Sequence, residues 1–208
     1  MFYNILDKKR LSILPLLNAF KKDFYLAGGT ALALQIGHRD SIDFDFFCPK
    51  DIDTKKLFNK IKEIFKGRKI LKTQEEKNTL SVFINGNIKL SFFTYKYKLS
   101  EKLIDEKNIR IASAADIGCM KLSAIAGRAS SKDYIDLYFI LKIIPLDKLI
   151  KKANKIMPEL DANLILKSLV YFDDIEKEPI MFKNNNNVDF QQVENFLIAK
   201  VKKYSKKY

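Results

Sequence analysis

Two aspartates stand two positions apart in an otherwise apolar segment, Ile42-Asp43-Phe44-Asp45-Phe46-Phe47. Side chains alternate faces along a strand, so Asp43 and Asp45 share one face while Ile42, Phe44 and Phe46 take the other. Neighbouring carboxylates repel one another and resist burial. A cation between them relieves both costs. Mg²⁺ (or Mn²⁺) suits such a pair, because it takes carboxylate oxygens together with the oxygens of a nucleotide phosphate.

Upstream lies Ala27-Gly28-Gly29-Thr30, a small glycine turn. Phe24-Tyr25-Leu26 reads as a short strand running into it, and Thr30 to Ile36 as a helix ended by Gly37. A Gly-Gly-Thr turn opening a helix leaves backbone N–H groups free for phosphate oxygens. By itself the turn is a weak signal. Ahead of the aspartate pair it places a phosphate cradle and two metal carboxylates on one cleft, the layout for metal-assisted transfer of a nucleotidyl group from an NTP. The structural alternative is an ion-paired strand edge, with Arg39 as partner. Arg39 itself fits either the cleft wall or the phosphates.

The first half alternates short strands and helices. Leu11 to Lys22 has helical spacing, and Asp53 is a good N-cap for a helix from Thr54 to about Lys66. Lys69 to Thr73 and Thr79 to Ile84 read as strands, Asn85-Gly86-Asn87 as a hairpin turn, and Ile88 to Tyr95 as the returning strand. The second half reads as helices, the first opened by the capping pattern Ser113-Ala114-Ala115-Asp116. Others follow over Ser131 to Ile144, Leu146 to Met157, Ala162 to Phe172 and Asp189 to Lys203. This is an α+β chain, a mixed sheet with helices followed by a C-terminal helical domain. The boundary falls near Leu99, giving units over 1–98 and 99–208.

The 208 residues are 47% hydrophobic, enough for a core, and no apolar run is long enough to span a bilayer. Met1 to Arg10 lacks the apolar stretch of a signal peptide, so a cytoplasmic location without membrane contact is expected. Two distant cysteines, Cys48 and Cys119, and the lone His38 argue against a disulfide framework and a structural zinc site. The formal charge of +13 fits a lysine-rich coding bias or a surface that attracts polyanions. It speaks against aminoglycosides as substrates, since those are cations. The tail from Lys200 to Tyr208 mixes basic and aromatic residues, as a nucleic-acid grip or a solvated helix end does.

Four blocks, GGTALAL, HRDSIDFDFF, MKLSAIAGRASSKDYIDLY and YFDDIEKEPIMF, resemble the AbiEii/AbiGii toxin family of the DNA polymerase β-like nucleotidyltransferase superfamily. The resemblance runs from about Phe24 to Met181. It implies a polymerase β-like fold and a toxin of a type IV toxin–antitoxin or phage-defence system, with a cognate antitoxin encoded nearby. It also implies NMP transfer to an acceptor hydroxyl, for some members at the 3′ end of tRNA. By position, Gly28, Gly29 and Thr30 match the phosphate turn, with Arg39 and Ser41 beside it. Asp43 and Asp45 match the metal pair, and Lys121 matches a helix lysine that contacts the triphosphate. Asp133 and Asp136 match aspartates implicated in activity.

Spacing adds to this. Lys121 and Arg128 are seven apart, so they share a helix face and can put two positive charges into one cleft. Asp133 and Asp136 share a face too, for catalysis or for an ion-pair network between helices. The superfamily's third carboxylate aligns with Ser91, which is neutral and cannot serve as a base. Three outcomes follow: another acid such as Asp133 acts as base, a weakly activated acceptor is used, or the chain binds nucleotide without turnover. Tyr95 and Tyr97 are candidates for stacking on a base, or core and rim residues.

Overall fold

The computed structural model describes residues 1–128 and 130–207. Ala129, in the third resembling block, and Tyr208, the last residue of the basic tail, lie outside the described residues. In chain order the elements are α1 (Lys8–Leu17), β1 (Tyr25–Ala27), α2 (Gly28–Ile36), β2 (Asp43–Cys48), α3 (Thr54–Ile64), β3 (Ile70–Glu76), β4 (Thr79–Ile84) and β5 (Ile88–Thr94). Then come β6 (Ile104–Asp105), β7 (Arg110–Ile111), α4 (Ala114–Gly127), α5 (Ser131–Ile143), α6 (Leu146–Ile156), α7 (Ala162–Ser168) and α8 (Phe190–Ser205).

The strands form one mixed sheet in the order β3-β4-β5-β2-β1-β7-β6. β2 lies at its centre, antiparallel to β1 and parallel to β5, with Asp45 opposite Ala27 on one side and Ser91 on the other. Alternation in β2 is as the residue types dictate: Phe44, Phe46 and Cys48 are buried, and Asp43, Asp45 and Phe47 are half-buried on the other face. On the apolar face Phe46 stacks on Phe92 at 5.2 Å, and Phe20 and Phe24 close around Phe92. Ile42 departs from the expected pattern. It precedes the strand and is 56% exposed rather than packed with Phe44.

Local chemistry explains the boundaries. Asp53 and Ser113 cap α3 and α4 by accepting from Lys56 N and Asp116 N. Asp189 and Gln192 form a reciprocal capping box on α8. Gly37 ends α2 at φ +67°, and Asn85 and Gly86, at φ +51° and +74°, turn β4 into β5. The two-residue strands β6 and β7 are too short to leave a pattern. They join the sheet through Leu26 opposite Ile111.

α4 is the central helix of the second half, in contact with α2, α5, α6 and α7. One hydrophobic cluster links buried residues from Ile5 to Leu197 across both halves of the chain. Among the described residues no helix is long and apolar enough to cross a membrane.

Candidate active site

Gly28 follows directly on β1, whose last residue Ala27 pairs with Asp45, so the turn and the carboxylates are neighbours by sheet register. Gly28 has φ +72°, and a Cβ there would sit 3.1 Å from Asp45 Oδ2. A side chain at Gly29 would collide with Arg39 Nη2. Gly28 is therefore favoured by its backbone conformation and Gly29 by the close approach of Arg39, which Asp136 holds in place. Ala27 precedes α2 and has no side-chain oxygen to cap it. Thr30 is committed inward: its hydroxyl donates to the Asp43 carbonyl and shares a 2.7 Å hydrogen bond with Ser41 Oγ.

Asp43 and Asp45 face a cleft of about 560 Å³. Among the described residues none donates a hydrogen bond or an ion pair to either carboxylate. Burial, and then the charge of Asp43, push the Asp45 carboxyl up to about 6, against the opposing pull of Lys89, Lys121 and Arg128. The alternative partner, Arg39, points elsewhere. These are the marks of a pair that fits a divalent cation. Among the described residues no group of three His, Cys, Asp or Glu side chains converges, so a cation held here would have two carboxylate donors and would need further oxygens from phosphate or water.

Behind the cleft lies a buried ion cluster centred on Asp136 at the middle of α5. Its Oδ1 accepts from His38 Nε2 at 2.8 Å and Arg39 Nε at 2.7 Å, and its Oδ2 from Arg39 Nη2 at 2.9 Å and Lys121 Nζ at 2.6 Å. Lys121 Nζ also donates to Asp133 Oδ1 at 2.6 Å, and Arg128 Nε donates to Asp133 Oδ2 at 2.9 Å. Burial alone raises the Asp136 carboxyl, but Lys121 and Arg39 outweigh it and hold it well below the usual range. Burial likewise lowers Lys121, and the charges of Asp136 and Asp133 reverse that shift. Burial pulls His38 down despite Asp136, so the imidazole donates to Asp136 as a neutral ring.

The cleft thus gathers Gly29, Arg39, Ser41, Asp43, Asp45, Lys121, Arg128 and Asp133. Gly28, Thr30 and Asp136 stand behind that lining. Lys121 and Arg128 converge on Asp133, but not along one helix face: α4 ends at Gly127, and Arg128 is an extended residue whose side chain curls back. Ser91 is buried beside Asp45 in register and hydrogen-bonds Ser81 Oγ at 3.2 Å. Tyr95 packs on Phe47 and Tyr97, at the end of the sheet away from Asp43.

Sequence reasoning missed several lining groups. Lys89 stands opposite Asp43 on β5 and was readable from its two-residue offset from Ser91. Lys132, Glu176 and Glu178 also line the cleft. Residues 173–183 form a strap across it. Ser131 N donates to the Glu176 carbonyl at 3.2 Å, Glu178 N to Ser131 Oγ at 3.1 Å, and Asp40 N to the Met181 carbonyl at 2.8 Å. Glu178 also pairs with Lys132 at 2.5 Å. The strap overlaps the block YFDDIEKEPIMF that carries part of the family resemblance, but no periodicity marks it, so only contacts show that it crosses the cleft. In sum, five cationic and six acidic described side chains line the cleft, so it carries no excess of positive charge of its own.

The family model described as nucleotidyl transferase AbiEii toxin, type IV TA system, matches residues 16–198. The chain belongs to the AbiEii nucleotidyltransferase toxin family. It is 42% identical over 193 residues to an uncharacterized protein of Aquifex aeolicus, covering 88% of each chain. Its fold is similar to that of JHP933 from Helicobacter pylori, at TM-score 0.57 and 21% identity, over 98% of this chain and 93% of that one. It is also similar to that of MenT4, a nucleotidyltransferase toxin of Mycobacterium tuberculosis, at TM-score 0.62 and 14% identity, over 92% and 80%. AbiEii membership makes the chain a nucleotidyltransferase with a polymerase β-like α+β fold. The AbiEii match spans both the sheet and the helices that carry Lys121, Asp133 and Asp136.

Proposed function

We propose that this cleft transfers an NMP group from an NTP to an acceptor hydroxyl, with Asp43 and Asp45 holding Mg²⁺ or Mn²⁺. The observation that carries the reading is an unpartnered carboxylate pair packed against the Gly28 turn, in a cleft whose own charges nearly cancel. A divalent ion held by Asp43 and Asp45 would supply positive charge for the triphosphate and for the departing pyrophosphate. The first-turn N–H groups of α2 receive phosphate oxygens. Lys121 keeps one N–H beyond its two carboxylate partners to offer to the same phosphates. Arg39, fixed bidentately on Asp136, walls the cleft and holds the loop that leads into Asp43. Arg128, mostly exposed, is free to swing from Asp133 to a phosphate, which releases one Asp133 oxygen to accept a proton.

The acceptor fits an RNA hydroxyl, such as a tRNA 3′ end, drawn by the +13 surface, and the family implies a cognate antitoxin as partner. The test is to incubate the full chain with each labelled NTP, Mg²⁺ or Mn²⁺ and total tRNA. Label in RNA that vanishes in Asp43→Asn and Asp45→Asn supports the proposal; no label with any NTP, or label that persists in both variants, overturns it. Ser91 beside Asp45 favours a second reading, a nucleotide- or RNA-binding member with negligible turnover. Saturable NTP binding without transfer selects it.

A further inference from the structure

The cleft has a charged interior and an apolar mouth. Ile42 and Met181 are 56% and 69% exposed, and both line the cleft beside Pro179 and Ile180. Neither is on a loosely held loop. The Ile42 carbonyl accepts from Arg10 Nε at 2.6 Å, and the same buried guanidinium reaches the Asn87 carbonyl through Nη2 at 2.7 Å. The Met181 carbonyl accepts from Asp40 N at 2.8 Å, and Lys183 N donates to the His38 carbonyl at 3.0 Å. The backbone that carries these two large apolar side chains is thereby held, and they stand in solvent at the lip of a polar cavity, one of them adjacent in sequence to Asp43.

A ligand that matches both parts is anionic at one end and flat and apolar at the other. An NTP has that form, with its anionic phosphates and its flat base at opposite ends of the ribose. We propose that Ile42 and Met181 form a platform for the base of the incoming nucleoside triphosphate, an inference that rests on the nucleotidyl-transfer reading of the same cleft. The contact is made with the face of the ring, where side chains without donors suffice. A protein partner covering the same lip is the competing occupant, and it predicts no effect on nucleotide affinity.

The experiment compares two probes with the full chain in Mg²⁺ and without acceptor RNA: a non-hydrolysable NTP and inorganic tripolyphosphate. Dissociation constants are measured calorimetrically for the wild type, Ile42→Ser, Met181→Ser, the double variant and Met181→Leu. In the wild type the NTP binds about tenfold more tightly than tripolyphosphate. The double variant brings that ratio to within about twofold, leaves tripolyphosphate affinity unchanged, and Met181→Leu keeps the wild-type ratio. Equal binding of the two probes by the wild type, or an undiminished ratio in the double variant, overturns the platform and leaves the transfer reading standing. Failure of the wild type to bind either probe removes the transfer reading, and the platform with it.

Discussion

The molecule holds two aspartate pairs with opposite surroundings. Asp43 and Asp45 sit side by side on β2, with no ion pair to either among the described residues, and Asp45 is pushed up to about 6, by burial first and then by its neighbour's charge. Asp133 and Asp136 sit on one face of α5 and receive Lys121, Arg39 and Arg128. The first pair feels Lys89, Lys121 and Arg128 only at a distance; the second has its counter-charges in direct contact. Identical side chains thus stand ready for a cation in the proposed reading of one place and are tied into an ion-pair network in the other, and the difference is which elements pack against them.

The largest effect separates the pairs by activity. Asp43→Asn or Asp45→Asn is expected to lower transfer at least about a thousandfold in the labelled-RNA assay, because the metal loses a charged ligand. Thermal stability should not fall with it, since neither carboxylate is bonded to the protein. A variant with near-normal transfer would dissolve the contrast.

The second effect runs the other way. Asp136→Asn strands Arg39 and Lys121 beside a neutral amide in the core, with an expected cost of about 3–5 kcal/mol, read by denaturant unfolding. A loss under about 1 kcal/mol would mean that the cluster is open to water and not scaffolding.

Third in size is the pH response of Asp45. Its folded value, about 6, lies above the 3.8 of the free side chain, so the folded chain binds that proton more tightly. The stability this gives is full below pH 4 and is lost as pH rises through 6. The metal-free protein should lose about 1–3 kcal/mol between pH 4 and 7 from this group, and Asp45→Asn should not show that loss. Cation affinity has the opposite sign: it falls as pH drops below about 6, because the proton competes for the same oxygens. Titrating Mn²⁺ between pH 5 and 7.5 reads this directly, and a flat profile would contradict the raised Asp45 carboxyl.

The contrast between the pairs was half legible beforehand. Asp43 and Asp45 announce themselves because a two-residue period in a short apolar run is local information. Spacing also puts Asp133 and Asp136 on one face, but it does not say what meets that face. The partner that decides the matter, Arg39, is 97 residues away from Asp136 and was free in the sequence to pair with Asp43 instead. For the same reason Arg128 looked like a continuation of α4, although the helix stops one residue before it. The strap over residues 173–183 has no period at all and is held by backbone bonds to Asp40 and Ser131. Short strands and straps exist because of what they pair with, so a motif can flag such a segment, as YFDDIEKEPIMF does here, without saying what it lies against.

The smallest effect concerns the residue that stands where a third acid is expected. Ser91 lies opposite Asp45, and its hydroxyl is engaged with Ser81 at 3.2 Å rather than pointing free into the cleft. Ser91→Ala should therefore cost about 1 kcal/mol of stability for one hydrogen bond and change transfer by less than about threefold. A loss of a hundredfold would place that hydroxyl on the substrate and make β5 part of the catalytic pair. Ser91→Asp sharpens the same point. A carboxylate there repels Asp45 in the metal-free protein and joins it around a cation, so it should lower metal-free stability while raising Mn²⁺ affinity. Both shifts follow only if Asp45 and residue 91 look onto one ion, which is what sets the β2 pair apart from the pair on α5.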